Sequence, residues 1–313
     1  MPKVSVIIPV YNVEKYIGRC LDSVLSQSLG RIEVIVVNDC TLDNSMNIVK
    51  QYSQNDERLR ILEHDVNHGP MIARWTGYMA ACGDFITFVD GDDALAEGAL
   101  EALYLAAIKE NADIVSGVIR YVPNKGSGYL WKNKLRYGTD KVSVYKSMLK
   151  DECGHNLCSR LFRRELLQNY PYNIFECATN GEDGMLFYQV VDNLEKMVAI
   201  DTVVYEYYQN MESSSNVRLS ERALCNIAKG NSIRIETAGK YPQLEKLILK
   251  KVSKVLFTLK INGYKIDKAV SENGLGYYCK ALTLFKAQGF AGCAFLYSKL
   301  VYHRLRKQIQ SIK

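Results

Sequence analysis

Val4-Ser5-Val6-Ile7-Ile8-Pro9-Val10-Tyr11-Asn12-Val13-Glu14 is a continuous apolar run, rich in β-branched residues, that passes a proline and then turns polar. Without the in-out alternation of a half-buried strand, Val4–Val10 predicts a strand covered on both faces. Beyond it, Glu14–Ser28 carries Ile17, Leu21, Val24 and Leu25 at helical spacing. Ile32–Val37 repeats the strand pattern, followed by a polar turn and a helix from about Ser45 to Tyr52. Arg60–Glu63 predicts a short third strand, Ala73–Cys82 a helix and Phe85–Val89 another buried strand. This alternation predicts an α/β fold with a mostly parallel sheet and helices on both faces. Such sheets hold ligands at the carboxyl ends of their strands, which directs attention to the polar residues just after each one.

Further along, Ala94–Glu110 predicts one helix and Asp113–Val122 a strand. Residues 123–128 predict a loop, and Asp201–Tyr208 a tyrosine-bearing strand. After about Ser220 the pattern is helical and basic. The chain has 313 residues with 48% hydrophobic and 24% charged content, which excludes disorder and repeat fibres. Its net charge of +6 hides a division. Residues 217–313 hold 19 Lys/Arg and 5 Asp/Glu, a net +14, which leaves −8 for residues 1–216. The expected boundary between an amino-terminal α/β domain and a helical extension is therefore 216/217. Nine scattered cysteines with no CxxC pair argue against a zinc site and fit thiols in a reducing cytosol. The opening apolar run lacks a cleavage site, and no stretch is long enough to span a bilayer, so an integral membrane protein is not expected.

Three strand ends carry chemistry. After the first strand come Tyr11, Asn12 and Glu14; after the second, Asn38-Asp39-Cys40-Thr41-Leu42-Asp43; after Phe85–Val89, Asp90-Gly91-Asp92-Asp93. Three carboxylates in four residues repel one another unless a cation or hydrogen bonds balance them, and oxygen-rich clusters suit Mg²⁺ or Mn²⁺. The plainer alternative is a turn in which Asp92 or Asp93 caps a helix beginning at Ala94. Asp39 likewise fits an Asx turn, and Glu14 a helix-dipole partner.

Val6-Ile7-Ile8-Pro9-Val10-Tyr11-Asn12, Val36-Val37-Asn38-Asp39, Asn67-His68-Gly69-Pro70-Met71-Ile72-Ala73-Arg74 and Phe88-Val89-Asp90-Gly91-Asp92-Asp93 together resemble the ordered motifs of family-2 glycosyltransferases. These are inverting, nucleotide-sugar-dependent enzymes of the Rossmann-like GT-A fold, and the resemblance covers about residues 3–210. It implies a UDP-sugar donor, with Pro9 and Tyr11 lining the base pocket, Glu14 beside them, and Asp39 accepting a hydrogen bond from uracil. It implies Asn67, Gly69 and Arg74 near the base or phosphates. Asp90 and Asp92 match the family's Asp-x-Asp, one toward ribose and the other toward a Mn²⁺ or Mg²⁺ on the diphosphate, with Gly91 permitting close backbone approach. Two positions depart from the family pattern. Cys40-Thr41 replaces Gly-Ser, and Trp75 follows Arg74 where Asn is common, which predicts altered packing around the donor pocket.

Inverting displacement needs a carboxylate base for the acceptor hydroxyl. Glu182-Asp183, opening a predicted helix Asp183–Val191, resembles the family's Glu-Asp motif, with Asp183 as base and Glu182 orienting it or contacting the acceptor. Arg160-Leu161-Phe162-Arg163-Arg164 resembles a segment on the acceptor side, where Arg160 would supply a cation for the diphosphate and His155 could assist. Tyr207 to Ser215 resembles the closing loop, without the histidine that completes the metal site in some relatives. The expected acceptor is a glycan or a lipid-linked sugar. A nucleotidyltransferase acting on sugar phosphates, which usually carries a glycine-rich loop after the first strand, and a non-catalytic nucleotide-sugar-binding subunit are the alternatives.

In the extension, Leu244, Leu247, Ile248, Val252, Val255, Leu256 and Leu259 form a helical stripe, and Lys246, Lys250 and Lys254 recur four apart. Such a segment either packs on the catalytic domain or a partner chain, or lies on anionic lipid. The expected location is cytoplasmic, with peripheral contact at the inner membrane face through 217–313. No nucleic-acid-binding motif is present, and a homo-oligomer is compatible with the sequence.

Overall fold

The computed structural model describes residues 1–135, 138–168, 172, 174 and 181–210, with positions 230, 233, 236, 240–248, 250 and 251 beyond them. The chain divides into two compact units, Met1–Thr237 and Ala238–Lys313. The amino-terminal elements in order are β1 (Val4–Val10), α1 (Ile17–Leu25), β2 (Ile32–Asn38), α2 (Ser45–Asn55), β3 (Leu59–Glu63), α3 (Pro70–Ala80), β4 (Phe85–Phe88), β5 (Ala94–Leu95) and α4 (Ala99–Glu110). Then come β6 (Ile114–Val122), β7 (Tyr129–Trp131), α5 (Lys141–Leu149), β8 (Arg160–Arg163), α6 (Glu165–Gln168), α7 (Glu182–Asp192) and β9 (Met197–Tyr208).

The strands form one sheet in the order β3-β2-β1-β4-β8-β6-β9-β5, with β7 paired to β6. Parallel register runs through β3-β2-β1-β4 and again between β6 and β9. Short antiparallel ladders through β8 join the two parallel parts. β1 is the hub because it is apolar on both faces. Val6, Ile8 and Val10 pack into a core with Ile17 and Leu21 of α1, Val49 of α2 and Leu100 and Leu103 of α4. On the opposite face, a side chain at Gly77 of α3 would collide with Ile7 and crowd Val37, so glycine lets α3 lie close against the strands. Helices therefore cover both faces, as the sequence predicts.

The helix expected over 94–110 is shorter. Ala94 and Leu95 pair with Tyr205 and Glu206 of β9, and α4 starts only at Ala99, after Gly98 at φ +68°. Neither Asp92 nor Asp93 caps it. Pairing with β9 takes the backbone that a helix would have used, and the glycine supplies the left-handed turn that restarts the chain. The strand expected over Asp113–Val122 is β6, whereas its hairpin partner β7, the strand β8 and the helices α5 and α6 have no counterpart in the predicted elements.

Of the basic segment, Leu244 and Ile248 are buried while Lys246 and Lys250 are exposed. Leu247 is half-buried, and Val252, Val255, Leu256 and Leu259 of the expected stripe lie outside the described residues. No helix among the described residues is long and apolar enough to cross a membrane.

Candidate active site

Parallel pairing of β1 with β2 sets Val10 beside Asn38, so the loops that leave them run side by side. Hydrogen bonds clasp these loops. Asn12 N donates to Thr41 Oγ1 at 2.8 Å, Val13 N to Ser45 Oγ at 3.1 Å, Glu14 N to Asp43 Oδ2 at 2.9 Å, and Asn44 N to Glu14 Oε2 at 2.9 Å. Asn12 and Cys40 both sit at positive φ, 56° and 58°. The left-handed geometry at Cys40 is the one glycine adopts most readily, which gives a physical sense to the family's glycine there.

These loops floor a cleft of about 800 Å³ lined by Pro9, Tyr11, Asp39, Asn67, Gly69, Arg74, Asp90, Gly91, Asp92, His155, Glu182 and Asp183, among others. Twelve of the fourteen residues singled out from the sequence therefore meet in one place. Two do not. Glu14 is exposed, and its carboxylate holds Asn44 N at the start of α2, a helix-terminus role rather than a cleft-lining one. Arg160 is 0% exposed and donates from Nη2 to the Gly154 carbonyl at 2.8 Å, with its guanidinium 4.1 Å from the Phe187 ring centroid. Its cation faces the interior, and burial pushes its pKa down, so the expected cation for a diphosphate is not offered by this side chain.

Asp39 is 2% exposed and holds the neighbouring loop. Its Oδ1 accepts from His68 N at 2.9 Å and lies 2.8 Å from His64 Nδ1. Its Oδ2 accepts from Asn67 Nδ2 at 3.0 Å and Gly69 N at 2.8 Å. Gly69, at φ +88°, then passes the chain into α3, where Pro70 occupies the first turn without a lost hydrogen bond. One turn into α3, Arg74 points back into the cleft. Trp75 faces away and packs against Tyr78 and Tyr172, at 4.8 and 5.5 Å between ring centroids. It does not line the cleft, so this departure from the family pattern leaves the cleft wall unchanged.

Arg74, 5% exposed, joins two groups of acids. Nη2 lies 2.6 Å from Asp90 Oδ1, and Nη1 lies 3.0 Å from Asp183 Oδ1 and 3.7 Å from Glu182 Oε1. Burial opposes the guanidinium charge, but Asp183, Asp90 and Glu182 outweigh it and keep Arg74 firmly protonated. Gly181, at φ +112°, starts α7, so Glu182 and Asp183 fall in its first turn. Desolvation and the charge of Asp183 push Glu182 up to about 7. Asp183 is also raised by desolvation, against the pull of Arg74, and its Oδ2 accepts from Leu157 N at 3.3 Å.

At the end of β4, desolvation and Asp90 raise Asp92, whose Oδ2 accepts from Asn210 Nδ2 at 3.1 Å. Arg19 donates to the Asp92 carbonyl and stacks on Tyr208, 3.5 Å from its centroid. Asp93, 1% exposed, takes another role. Its carboxylate accepts from Tyr205 Oη at 2.8 Å and Tyr208 N at 2.9 Å, so it ties the acidic turn to β9. A side chain at Gly91 would press on Val13 Cγ2 at 3.0 Å, so glycine seats this turn against the first loop. Among the described residues no group of three or more His, Cys, Asp or Glu side chains forms a complete metal site. Asp90 and Asp92 are hard oxygen donors that share a cleft, a donor set that fits part of the shell of Mg²⁺ or Mn²⁺.

Arg19, Tyr121, Trp131 and Tyr205 have no part in the site expected from the sequence, and Asp93, Tyr207 and Asn210 enter that expectation only as members of the acidic turn and the closing-loop segment. Arg19, Asp93 and Asn210 reach their site partners across more than 70 residues of chain, as between Asp93 and Tyr205 at a separation of 112. The tyrosines of the β9 pattern were the single available signal. The described cysteines Cys20, Cys40, Cys82, Cys153 and Cys158 are all free thiols.

Comparison with known proteins agrees with this architecture. Residues 5–171 match the model of Glycosyl transferase family 2. Glycosyltransferase GlyA of Streptococcus pneumoniae is 32% identical over 225 residues, covering 69% of this chain and 32% of that protein. EpsJ of Bacillus subtilis, an uncharacterized glycosyltransferase, is 32% identical over 225 residues, covering 69% of this chain and 64% of its own. The chain thus spans just under a third of GlyA and just under two thirds of EpsJ. S. aureus TarS 1-349, solved in complex with UDP-GlcNAc, superposes with a TM-score of 0.68 at 20% identity, over 80% of this chain and 72% of its own, which shows a shared fold. With the matched region running from β1 past the acidic turn and Arg74, the chain belongs to glycosyl transferase family 2.

Proposed function

We propose that the protein is an inverting glycosyltransferase that moves a sugar from a UDP-sugar to a hydroxyl of a glycan or lipid-linked acceptor. The observation that carries this reading is one cleft shared by the strand-end residues Pro9, Tyr11, Asp90 and Asp92 and by Glu182 and Asp183, with Arg74 joined to both sets of acids. In this reading the acceptor oxygen attacks the anomeric carbon as the bond from that carbon to the diphosphate breaks. UDP leaves with the bonding electrons, and the acceptor proton passes to Asp183. The raised proton affinity of Asp183 strengthens it as a base, while Arg74 opposes that rise. A Mn²⁺ or Mg²⁺ held by Asp92 with Asp90 would supply Lewis-acid stabilisation of the leaving diphosphate.

UDP is favoured as the carrier by the shared fold with TarS and by the Pro9–Tyr11 wall. All four N–H groups around Asp39 are already drawn to its carboxylate, so its part in base recognition is to hold the 67–69 loop in place. The net +14 of 217–313 supports peripheral attachment to anionic lipid.

The test is a panel of UDP-, GDP-, CMP- and dTDP-sugars incubated with Mn²⁺ or Mg²⁺ and the full chain. UDP release or UDP-dependent thermal stabilisation is expected. Binding of another nucleotide in preference to UDP overturns the donor assignment, and binding of none overturns the enzyme.

A further inference from the structure

The register that sets Asn38 of β2 beside Glu63 of β3 continues one residue further, where His64 N donates to the Asn38 carbonyl at 2.9 Å. His64 is thereby held next to Asp39. Its side chain is 10% exposed and bridges two elements. Nδ1 lies 2.8 Å from Asp39 Oδ1, and Nε2 lies 2.9 Å from Thr76 Oγ1 of α3. Both Asp39 oxygens already accept from N–H groups of residues 67–69, and the carboxylate accepts from Nδ1–H of His64 as well. In the neutral ring this leaves Nε2 to accept from the Thr76 hydroxyl. The His68 ring packs edge-on against the His64 ring, 5.1 Å between centroids.

Neither His64 nor Thr76 lines the cleft, whereas Asp39, Asn67, Gly69 and Arg74 do. The bridge is therefore placed to act through Asp39. Of the four donors around that carboxylate, three belong to the 67–69 loop, and a carboxylate held by the loop alone would move with it. His64 supplies the fourth from the end of β3, where pairing with β2 fixes its backbone. Thr76 in turn fixes the ring. Threonine is a weak helix former, and in the interior of α3 its bond to His64 offsets that cost. The path Asp39–His64–Thr76 closes the 64–69 segment onto the helix it leads into. Asn67 and Gly69 are thus held at a set place relative to Arg74, which the same helix carries.

We propose that His64, braced by Thr76, is a positioning residue for the donor nucleotide, which fixes the Asp39 carboxylate so that the 67–69 wall of the cleft keeps its shape. The proposal rests on the glycosyltransferase reading above and adds to it two residues outside the cleft. The bridge acts on a wall that the nucleotide meets before any bond changes. Its loss therefore weakens nucleotide binding more than it slows transfer at saturating donor. An effect carried through Arg74 to Asp183 would do the reverse.

The experiment measures UDP affinity of the full chain by calorimetry in Mn²⁺, and kcat on the UDP-sugar that the nucleotide-sugar panel selects. His64→Ala is expected to weaken UDP binding about three- to tenfold, the range of one hydrogen bond's net contribution. His64→Asn, whose amide nitrogen falls near the place of Nδ1 and donates to Asp39, is expected to recover most of that loss. In both variants kcat at saturating donor is expected to change less than the affinity does. Thermal melts verify folding. If His64→Ala does not fold, Thr76→Val, which keeps the shape and removes the hydroxyl, takes its place, with Thr76→Ser as the variant that recovers binding. Wild-type UDP affinity in the folded variant, no recovery in its conservative counterpart, or a fall in kcat with affinity intact overturns the proposal. Absence of UDP binding by wild type would instead overturn the donor reading on which it rests.

Discussion

Arg74 Nη1 lies 3.0 Å from Asp183 Oδ1. This contact connects α3, which follows the Asp39-anchored loop, to the first turn of α7, more than 100 residues later in the chain. Because the same guanidinium also holds Asp90 at 2.6 Å, the acid at the end of β4 and the proposed base share one cation. Desolvation pushes the two α7 acids toward their protonated forms, and a single buried positive charge shared among Asp90, Glu182 and Asp183 only partly offsets it. Changes on either side of the cleft are thus felt on the other through Arg74.

Asp183→Asn removes the proton acceptor while keeping the shape and the hydrogen bond from Leu157 N. The expected result is a fall in kcat of about 10²–10⁴-fold with UDP affinity unchanged. Initial rates of UDP release with acceptor, alongside calorimetry of UDP binding, check both halves. Arg74→Met should lower activity too, and in a diagnostic way. Without the cation, Asp183 keeps its proton to higher pH, so the rising limb of the pH–rate profile should move to higher pH.

Asp92→Ala tests the cation. In wild type, EDTA should weaken UDP binding, and Mn²⁺ or Mg²⁺ should restore it. In the variant the difference between EDTA and metal should shrink to near nothing. A full metal response in Asp92→Ala would move the metal site elsewhere.

Glu182 yields a pH prediction with a definite sign. Its pKa rises from 4.5 to about 7 on folding, so the folded protein binds more protons than the unfolded chain between those values. Stability therefore falls as pH rises from about 4.5 to about 7, and the penalty is constant above that. Glu182→Gln removes the penalty. Its melting temperature relative to wild type should be higher at pH 8 than at pH 5, and equal differences at the two pH values would show that the acid is not raised.

The part of this architecture that sequence exposes best is the part made of local patterns. Val4–Val10 and Ile32–Asn38 are apolar on both faces because helices cover both, and the residues just beyond them fall at the cleft because parallel strands end together. Arg160 shows where this kind of reading stops. Arginine in a sequence carries no label for burial, and only the pairing of β8 with β4 and β6 turns its side chain inward onto Phe187. Asp93 is the converse case. Its place beside Asp92 made it one more acid in a cluster, whereas its bonds to Tyr205 and Tyr208 are set by β9, far along the chain. The Tyr121–Tyr129 stack depends in the same way on a three-residue strand too short to be recognised by periodicity.

Arg160 therefore separates a binding role from a positioning role. Its guanidinium holds the Gly154 carbonyl, and Gly154, His155 and Asn156 line the cleft. If it served the diphosphate, Arg160→Met would weaken UDP binding strongly. The buried position predicts otherwise. Methionine is shorter but unbranched, flexible and apolar, so it keeps most of the packing beside Phe187 and removes a desolvated charge; the fold should survive and UDP affinity should change little. The loop over 153–156 loses an anchor, so the acceptor KM should rise several-fold while kcat falls less. Arg160→Ala, which opens a cavity in addition, should cost about 2–5 kcal/mol of stability in denaturant titration. A tenfold or greater loss of UDP affinity in Arg160→Met, with an unchanged melting temperature, would return Arg160 to the donor side of the reaction.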